Sequence, residues 1–207
     1  MTQIFRVHPD NPQPRLLRQA ADLLQRGGVL AVPTDSSYAL VCQLDDKAAV
    51  DNMRRIRQLD DKRLLSLLCR DLSELASYAR VNNAQYRLLR QGTPGPYTFI
   101  LEASREVPRR VSHPQRKTIG LRVPEHKTTQ QLLELHGSPL LATTLILPGD
   151  DLPLNDPDEM AERLDRQVAA IIDAGACPAD ASTVVDLSSG APELVRHGLG
   201  DPARLGL

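Results

Sequence analysis

Serine, threonine and arginine recur in this sequence where apolar runs begin or end, and side chains of these types bind anions without forming covalent bonds. Val32-Pro33-Thr34-Asp35-Ser36 closes one such run and Pro94-Gly95-Pro96-Tyr97-Thr98 opens another. Ser182-Thr183-Val184-Val185-Asp186 and Arg196-His197-Gly198 come late in the chain. Gly120-Leu121-Arg122-Val123-Pro124 sets an arginine inside an apolar stretch. A guanidinium there costs desolvation unless it is paired or faces a cavity. Arg122 is therefore either half of a core ion pair, with Glu125 or Asp186, or a group that meets a ligand. Hydroxyls such as Thr34 and Ser182 divide in the same way, between local turn hydrogen bonding and ligand contact. Residues so far apart in sequence share chemistry only if the fold converges them on one cleft.

Other chemistries lack their signatures. There is no phosphate-binding Walker loop, no Rossmann glycine fingerprint, no G-x-S-x-G elbow and no H-E-x-x-H helix. His8, His113, His126, His136 and His197 lack metal-ligand spacing. Cys42, Cys69 and Cys177 are an odd count without C-x-x-C pairing, so neither a disulfide framework nor a zinc knuckle is indicated, and a reducing cytoplasm is expected. No apolar run approaches the roughly 18 residues that cross a bilayer, and the first 14 residues read as polar rather than as a signal peptide.

The elements that must position these groups follow from periodicity. Leu16, Leu17, Ala20, Ala21, Leu23 and Leu24 predict a helix over 15–25, stopped by Gly27-Gly28. Strands are expected at 29–33 and 38–43, and a helix capped by Asp45 or Asp46 runs to Leu59. A buried strand follows at 64–69. Asp71-Leu72-Ser73-Glu74 has capping-box spacing, with Glu74 reaching back, for a short helix to Tyr78. Further helices are expected at 83–90, 128–136 and 158–164, and strands at 97–102, 118–123, 140–144, 168–172, 183–187 and 193–196. Residues 105–117, with two prolines and an excess of four positive charges, resist regular structure. Adjacent strands at both ends suggest hairpins, so the expected fold is one α/β domain on a mixed, twisted sheet with flanking helices.

The chain has 207 residues and a formal net charge of −1, but the charge is uneven. Residues 1–149 carry 21 Lys and Arg against 14 Asp and Glu, whereas residues 150–207 carry 4 against 12. Arginine, whose fork grips two oxygens at once, outnumbers lysine 21 to 4; that count fits anion binding and equally a coding bias.

In order and spacing these segments resemble the YrdC/YciO superfamily over nearly the whole chain. The YciO branch is favoured by Arg57-Gln58-Leu59, Cys69-Arg70-Asp71-Leu72-Ser73-Glu74-Leu75 and Lys117-Thr118-Ile119-Gly120. The resemblance implies a single YrdC-like domain over residues 1–207, with its core at about 14–200, around a basic concave cleft. It also implies synthesis of L-threonylcarbamoyladenylate from L-threonine, bicarbonate and ATP, releasing pyrophosphate, as the first stage of a tRNA modification. Thr34, Arg122, Thr144 and Ser182 would then hold threonine, and Arg57, Thr118 and Arg196 the nucleotide. Mg2+ would arrive with ATP, with no protein metal site. Two segments depart from the synthase pattern. Arg57-Gln58-Leu59 replaces a Lys-x-Arg pair, and Thr143-Thr144-Leu145-Ile146-Leu147-Pro148-Gly149 puts Ile146 and Pro148 where Asn and Ser are expected, which implies a weaker phosphate grip. The alternative is a protein that binds double-stranded RNA, tRNA or a nucleotide without synthase activity; RNA would be read through phosphate and shape, because four Tyr, two Phe and no Trp supply little stacking.

Overall fold

Period-two alternation in the strands dictates the layering, because each strand sends alternate side chains to opposite faces of the sheet. The computed structural model describes residues 1–60 and 65–207. In chain order the elements are β1 (Gln3–Arg6), α1 (Pro14–Gln25), β2 (Leu30–Val32), β3 (Ala39–Gln43), α2 (Lys47–Arg57) and β4 (Ser66–Leu68). Then come α3 (Leu72–Tyr78), α4 (Asn83–Gly92), β5 (Tyr97–Glu102), β6 (Thr118–Arg122), α5 (Lys127–His136) and β7 (Leu140–Thr144). The chain ends with α6 (Pro157–Arg163), β8 (Ala170–Asp173), β9 (Thr183–Asp186), β10 (Glu193–Arg196) and a 3-10 turn, Pro202–Leu205. The strands form one mixed sheet in the order β1-β8-β2-β3-β7-β4-β6-β5-β9-β10. The expected end hairpins are the antiparallel pairs β2·β3 and β9·β10.

The two faces of the sheet are covered unequally. On one, Leu40 and Cys42 of β3, Leu67 of β4, Phe99 and Leu101 of β5 and Ile119 and Leu121 of β6 pack with Met53 of α2, Leu75 of α3, Leu89 of α4 and Met160 of α6. On the other, Leu30 and Val32 of β2 and Ala39 and Val41 of β3 pack against Leu17, Ala20 and Leu24 of α1 and Leu132 and Leu133 of α5. α1 and α5 cover only the β1-to-β7 half of that second face. The remaining part, built on β4, β6, β5 and β9 and reaching Ala142 and Thr144 of β7, is the floor of a cleft.

Local signals explain the helix ends. Asp46, Asp71, Asn82 and Asp156 accept backbone N–H bonds as N-caps, each worth about 1 kcal/mol. Glu74 reaches back as expected, but to the N–H of Arg70, one residue before the cap, at 2.7 Å. α2 stops at Arg57 rather than Leu59 because Gln58 turns left-handed, at φ 50°. β1 has no counterpart in the sequence expectations: of its four residues only Phe5 is buried, so alternation is too short to register. Leu64, placed at the start of the strand expected at 64–69, lies outside the described residues.

His136 is buried in the last turn of α5, and neither ring nitrogen has a hydrogen-bond partner among the described residues. Burial holds its pKa below the ordinary 6.5, so the fold favours the neutral ring while the unfolded chain takes up a proton near 6.5. This contribution to stability is full above pH 6.5 and is lost as pH falls below it towards the folded pKa. Thermal unfolding between pH 5 and 7.5 should therefore show a shallower acid decline for His136→Leu than for the parent chain. Equal slopes would show that the ring is not held neutral.

Candidate functional site

The open half-face carries small side chains at its centre: Ala142, Ser66 and Gly120. Register places Ala142 beside Ser66, Ser66 beside Gly120, Gly120 beside Ile100 and Ile100 beside Asp186, all on the same face. A Cβ on Gly120 would stand 3.2 Å from the Thr98 methyl and 3.3 Å from Ser66 Cβ, so any larger residue would raise the floor. The result is a cavity of about 210 Å3, lined among others by Arg57, Ser66, Thr98, Gly120, Arg122, Thr144, Ile146, Ser182 and Arg196. That is below the roughly 300 Å3 at which drug-sized sites begin, and it suits a ligand of amino-acid size.

Arg122, the last residue of β6, is 7% exposed. Its Nη2 donates to the Asp35 carboxylate and, at 3.4 Å, to Thr34 Oγ1. The ion-pair partner is thus neither Glu125 nor Asp186. Glu125 is exposed and contributes its backbone N–H, 3.0 Å from Asp35 Oδ2. Asp186 accepts from Ser188 N and Oγ at 2.8 and 2.6 Å and pairs with Arg116 at 3.3 Å. The two alternatives for Arg122 turn out to be compatible, because the paired side chain also lines the cleft. Its Nε is buried and has no hydrogen-bond partner among the described residues.

Opposite, Ser182 Oγ lies 2.8 Å from Thr98 Oγ1, and Arg196 anchors the same corner by donating from Nε and Nη2 to Ser182 O at 3.1 and 2.8 Å. The structure brings Arg57, Arg122, Thr144, Ser182 and Arg196 together. Thr34 lies just behind the wall: its Oγ1 donates to Ser37 O at 2.6 Å and accepts from the N–H groups of Ser36 and Ser37, which fixes the turn that presents Asp35. Thr118 is 2% exposed and does not line the cleft. Leu59 packs against the hydrophobic core, whereas Ile146 faces the cavity. Sequence reasoning left Asp35 and Thr98 without roles although it singled out both segments. Ser66 and Gly120 carry no signal until strand register is known.

The site offers donors and charge but no activated thiol. All three cysteines are buried, and burial pushes Cys42 up to about 12 and Cys177 to about 11. Such thiols stay protonated at neutral pH. Among the described residues no group of three or more His, Cys, Asp or Glu is placed to hold a metal ion, and no helix is long and apolar enough to cross a membrane.

Residues 22–198 match the Sua5/YciO/YrdC family model, described as "Telomere recombination". The chain belongs to this family. It is 49% identical over 201 residues to YciO of Escherichia coli K12, covering 97% of this chain and 98% of the relative. The crystal structure of E. coli YciO superposes with a TM-score of 0.95, covering 99% and 100% of the two chains. More distant members include the human threonylcarbamoyl-AMP synthase, 31% identical and covering 83% of this chain and 63% of that protein. Sua5 of P. abyssi, solved in complex with L-threonine, is 27% identical with a TM-score of 0.88, covering 95% of this chain and 58% of that one.

Asp35→Ala should leave the Arg122 guanidinium buried without its carboxylate and cost about 3–5 kcal/mol. For a domain of this size that is a drop of roughly 6–20 °C in Tm. Asp35→Ala combined with Arg122→Met should recover part of the loss, since no charge is then stranded. Additive losses in thermal unfolding of the single and double variants would show that the pair does not support the fold.

Proposed function

We propose that this chain binds L-threonine in the cleft and converts it, with bicarbonate and MgATP, to L-threonylcarbamoyladenylate and pyrophosphate, for delivery to tRNA modification. The observation that carries the reading is the half-matched Arg122. Asp35 balances its charge and fixes its plane, and the paired side chain still lines the cavity, where an amino-acid carboxylate would meet the guanidinium. Ser182, Thr98 and Thr144 line the same small cavity as hydroxyl partners for the remaining polar atoms of such a ligand. Threonylcarbamoyl-AMP synthases in the same family, and a relative solved with L-threonine, support this choice of substrate.

The chemistry suits these residue types because the substrates bring their own nucleophiles. Bicarbonate takes up a proton and loses water to give CO2; the threonine ammonium gives one proton to solvent, its amine bonds to the CO2 carbon, and the nitrogen sheds a second proton to leave the carbamate. A carbamate oxygen then bonds to the α-phosphorus as the bond to the pyrophosphate oxygen breaks. The protein has only to hold three reactants in line and offset the growing charge. Arg57 and Arg196 line the cleft where the phosphates would lie, and Arg116 stands beyond Asp186. Magnesium enters as the counterion of ATP.

Ile146 argues for a weakened version of this activity, because an apolar side chain faces the cavity where the synthases offer an amide. A second reading rests on the exposed Arg105, Arg109, Arg110, Arg116 and Lys117, which crowd one loop: the cleft and loop hold double-stranded RNA or tRNA by its phosphates, without turnover.

Incubation with ATP, Mg2+, bicarbonate and threonine should yield the adenylate by mass spectrometry, and pyrophosphate release should require threonine. Ile146→Asn should lower the KM for ATP by up to about tenfold, the worth of one added hydrogen bond of roughly 0.5–1.5 kcal/mol. Salt-sensitive retention of RNA with no adenylate from either chain would sink the synthase reading and favour the second.

A further inference from the structure

β4 and β6 are parallel neighbours, and the chain leaves their carboxyl ends in opposite directions. After β4 it enters α3, whose Leu75 packs into the core on one face; after β6 it enters α5, whose Leu132 and Leu133 pack into the core on the other. Neighbouring parallel strands whose helices diverge in this way open a crevice at their ends, and in α/β sheets such switch points are where ligands bind. Here the crevice is a cavity of about 650 Å3, within the roughly 300–1,000 Å3 of small-molecule sites. It shares no lining residue with the cleft on the sheet face.

From this cavity we infer a second ligand site, for a small organic acid with a flat apolar body and a single anionic group. Leu72, Tyr86, Pro94, Val123 and Pro124 supply apolar walls, and Tyr86, 44% exposed, offers its ring to a flat ligand. Of the three lining cations, Arg70 is paired with Glu74 at 3.0 Å and Lys127 with Asp10 at 3.8 Å, which leaves Arg90 as the one with no carboxylate partner among the described residues, a setting that suits one negative charge and not a polyphosphate. Asp71 caps α3 by accepting from Glu74 N at 2.8 Å. Arg90 and Lys127 stand exposed at the rim, where Lys127 Nζ also donates to Asp10 O at 3.3 Å. Between them His126 lines the cavity with a buried Nδ1 that has no hydrogen-bond partner among the described residues. It caps α5 without any side-chain hydrogen bond.

The full chain titrated with anilinonaphthalenesulfonate, a flat aromatic carrying one sulfonate, should show a single saturable fluorescence increase at one dye per chain. Indoleacetate should displace it; neutral indole, threonine and ATP should not. Arg90→Glu with Lys127→Glu, both at exposed positions, should weaken dye and indoleacetate at least tenfold while Tm stays within a degree or two. Tyr86→Ala should weaken both by a smaller factor. Unsaturable dye binding, displacement by threonine or ATP, equal displacement by neutral indole, or full affinity in the charge-reversed chain would each overturn the site. Because these readouts are independent of adenylate synthesis, either reading can fail without the other.

Discussion

A guanidinium removed from water must be met by a carboxylate and by enough acceptors for its five N–H donors, or the fold pays several kilocalories for it. Arg122 and Asp35 meet this condition only in part, and the architecture around them follows from how they do so. The Thr34 turn exists to aim Asp35 at the end of β6: the hydroxyl closes on Ser37 O and gathers two backbone N–H groups, which leaves the carboxylate pointing across the sheet. The other carboxylate oxygen takes the N–H of Glu125 and so ties the segment after β6 to the same group. One pair therefore joins the β2–β3 connection, the cleft wall and the entrance to α5.

The cleft exists because helices run short on one face of a wide sheet. α1 and α5 cover the β1-to-β7 half, and what would elsewhere be an exposed sheet is shaped instead by small residues at its centre and polar ones at its margin. Gly120 is there because its neighbours leave no room for a methyl without a shift of a few tenths of an ångström. Leu67, Phe99 and Leu121 are buried on the opposite face and fix the register that brings Ser66, Gly120 and Ile100 side by side.

Much of this was legible in the sequence. β5, β7 and β10 begin and end where the apolar runs do, and α1 was visible from its stripe and its glycine stop. Legibility failed where a tertiary partner decides. β1 is a strand only because β8 offers it an edge, and Arg122 chose Asp35 over the nearer Glu125 because a turn some 90 residues away faces it. Thr34, Thr118 and Leu59 each matched a family position by spacing, yet their side chains point to a turn, an interior and a core. Spacing locates a residue on a strand, but only register and coverage decide which face sees solvent.

β6 is shared between the cleft on the sheet face and the crevice at the strand ends, with Arg122 and Val123 as consecutive residues on opposite sides of the boundary. Alternation explains the division: Arg122 points to the open face, while Val123 turns the other way and belongs to the first core. Asp35 bridges the two, since its carboxylate receives Arg122 on the cleft side and Glu125 N on the crevice side. Any displacement of residues 124–127 must then lengthen the Glu125 contact or drag Asp35 with it. Breaking a buried ion pair strands a charge at a cost of several kcal/mol, about 3–5, so Asp35 holds the end of β6 and the segment after it in one fixed register.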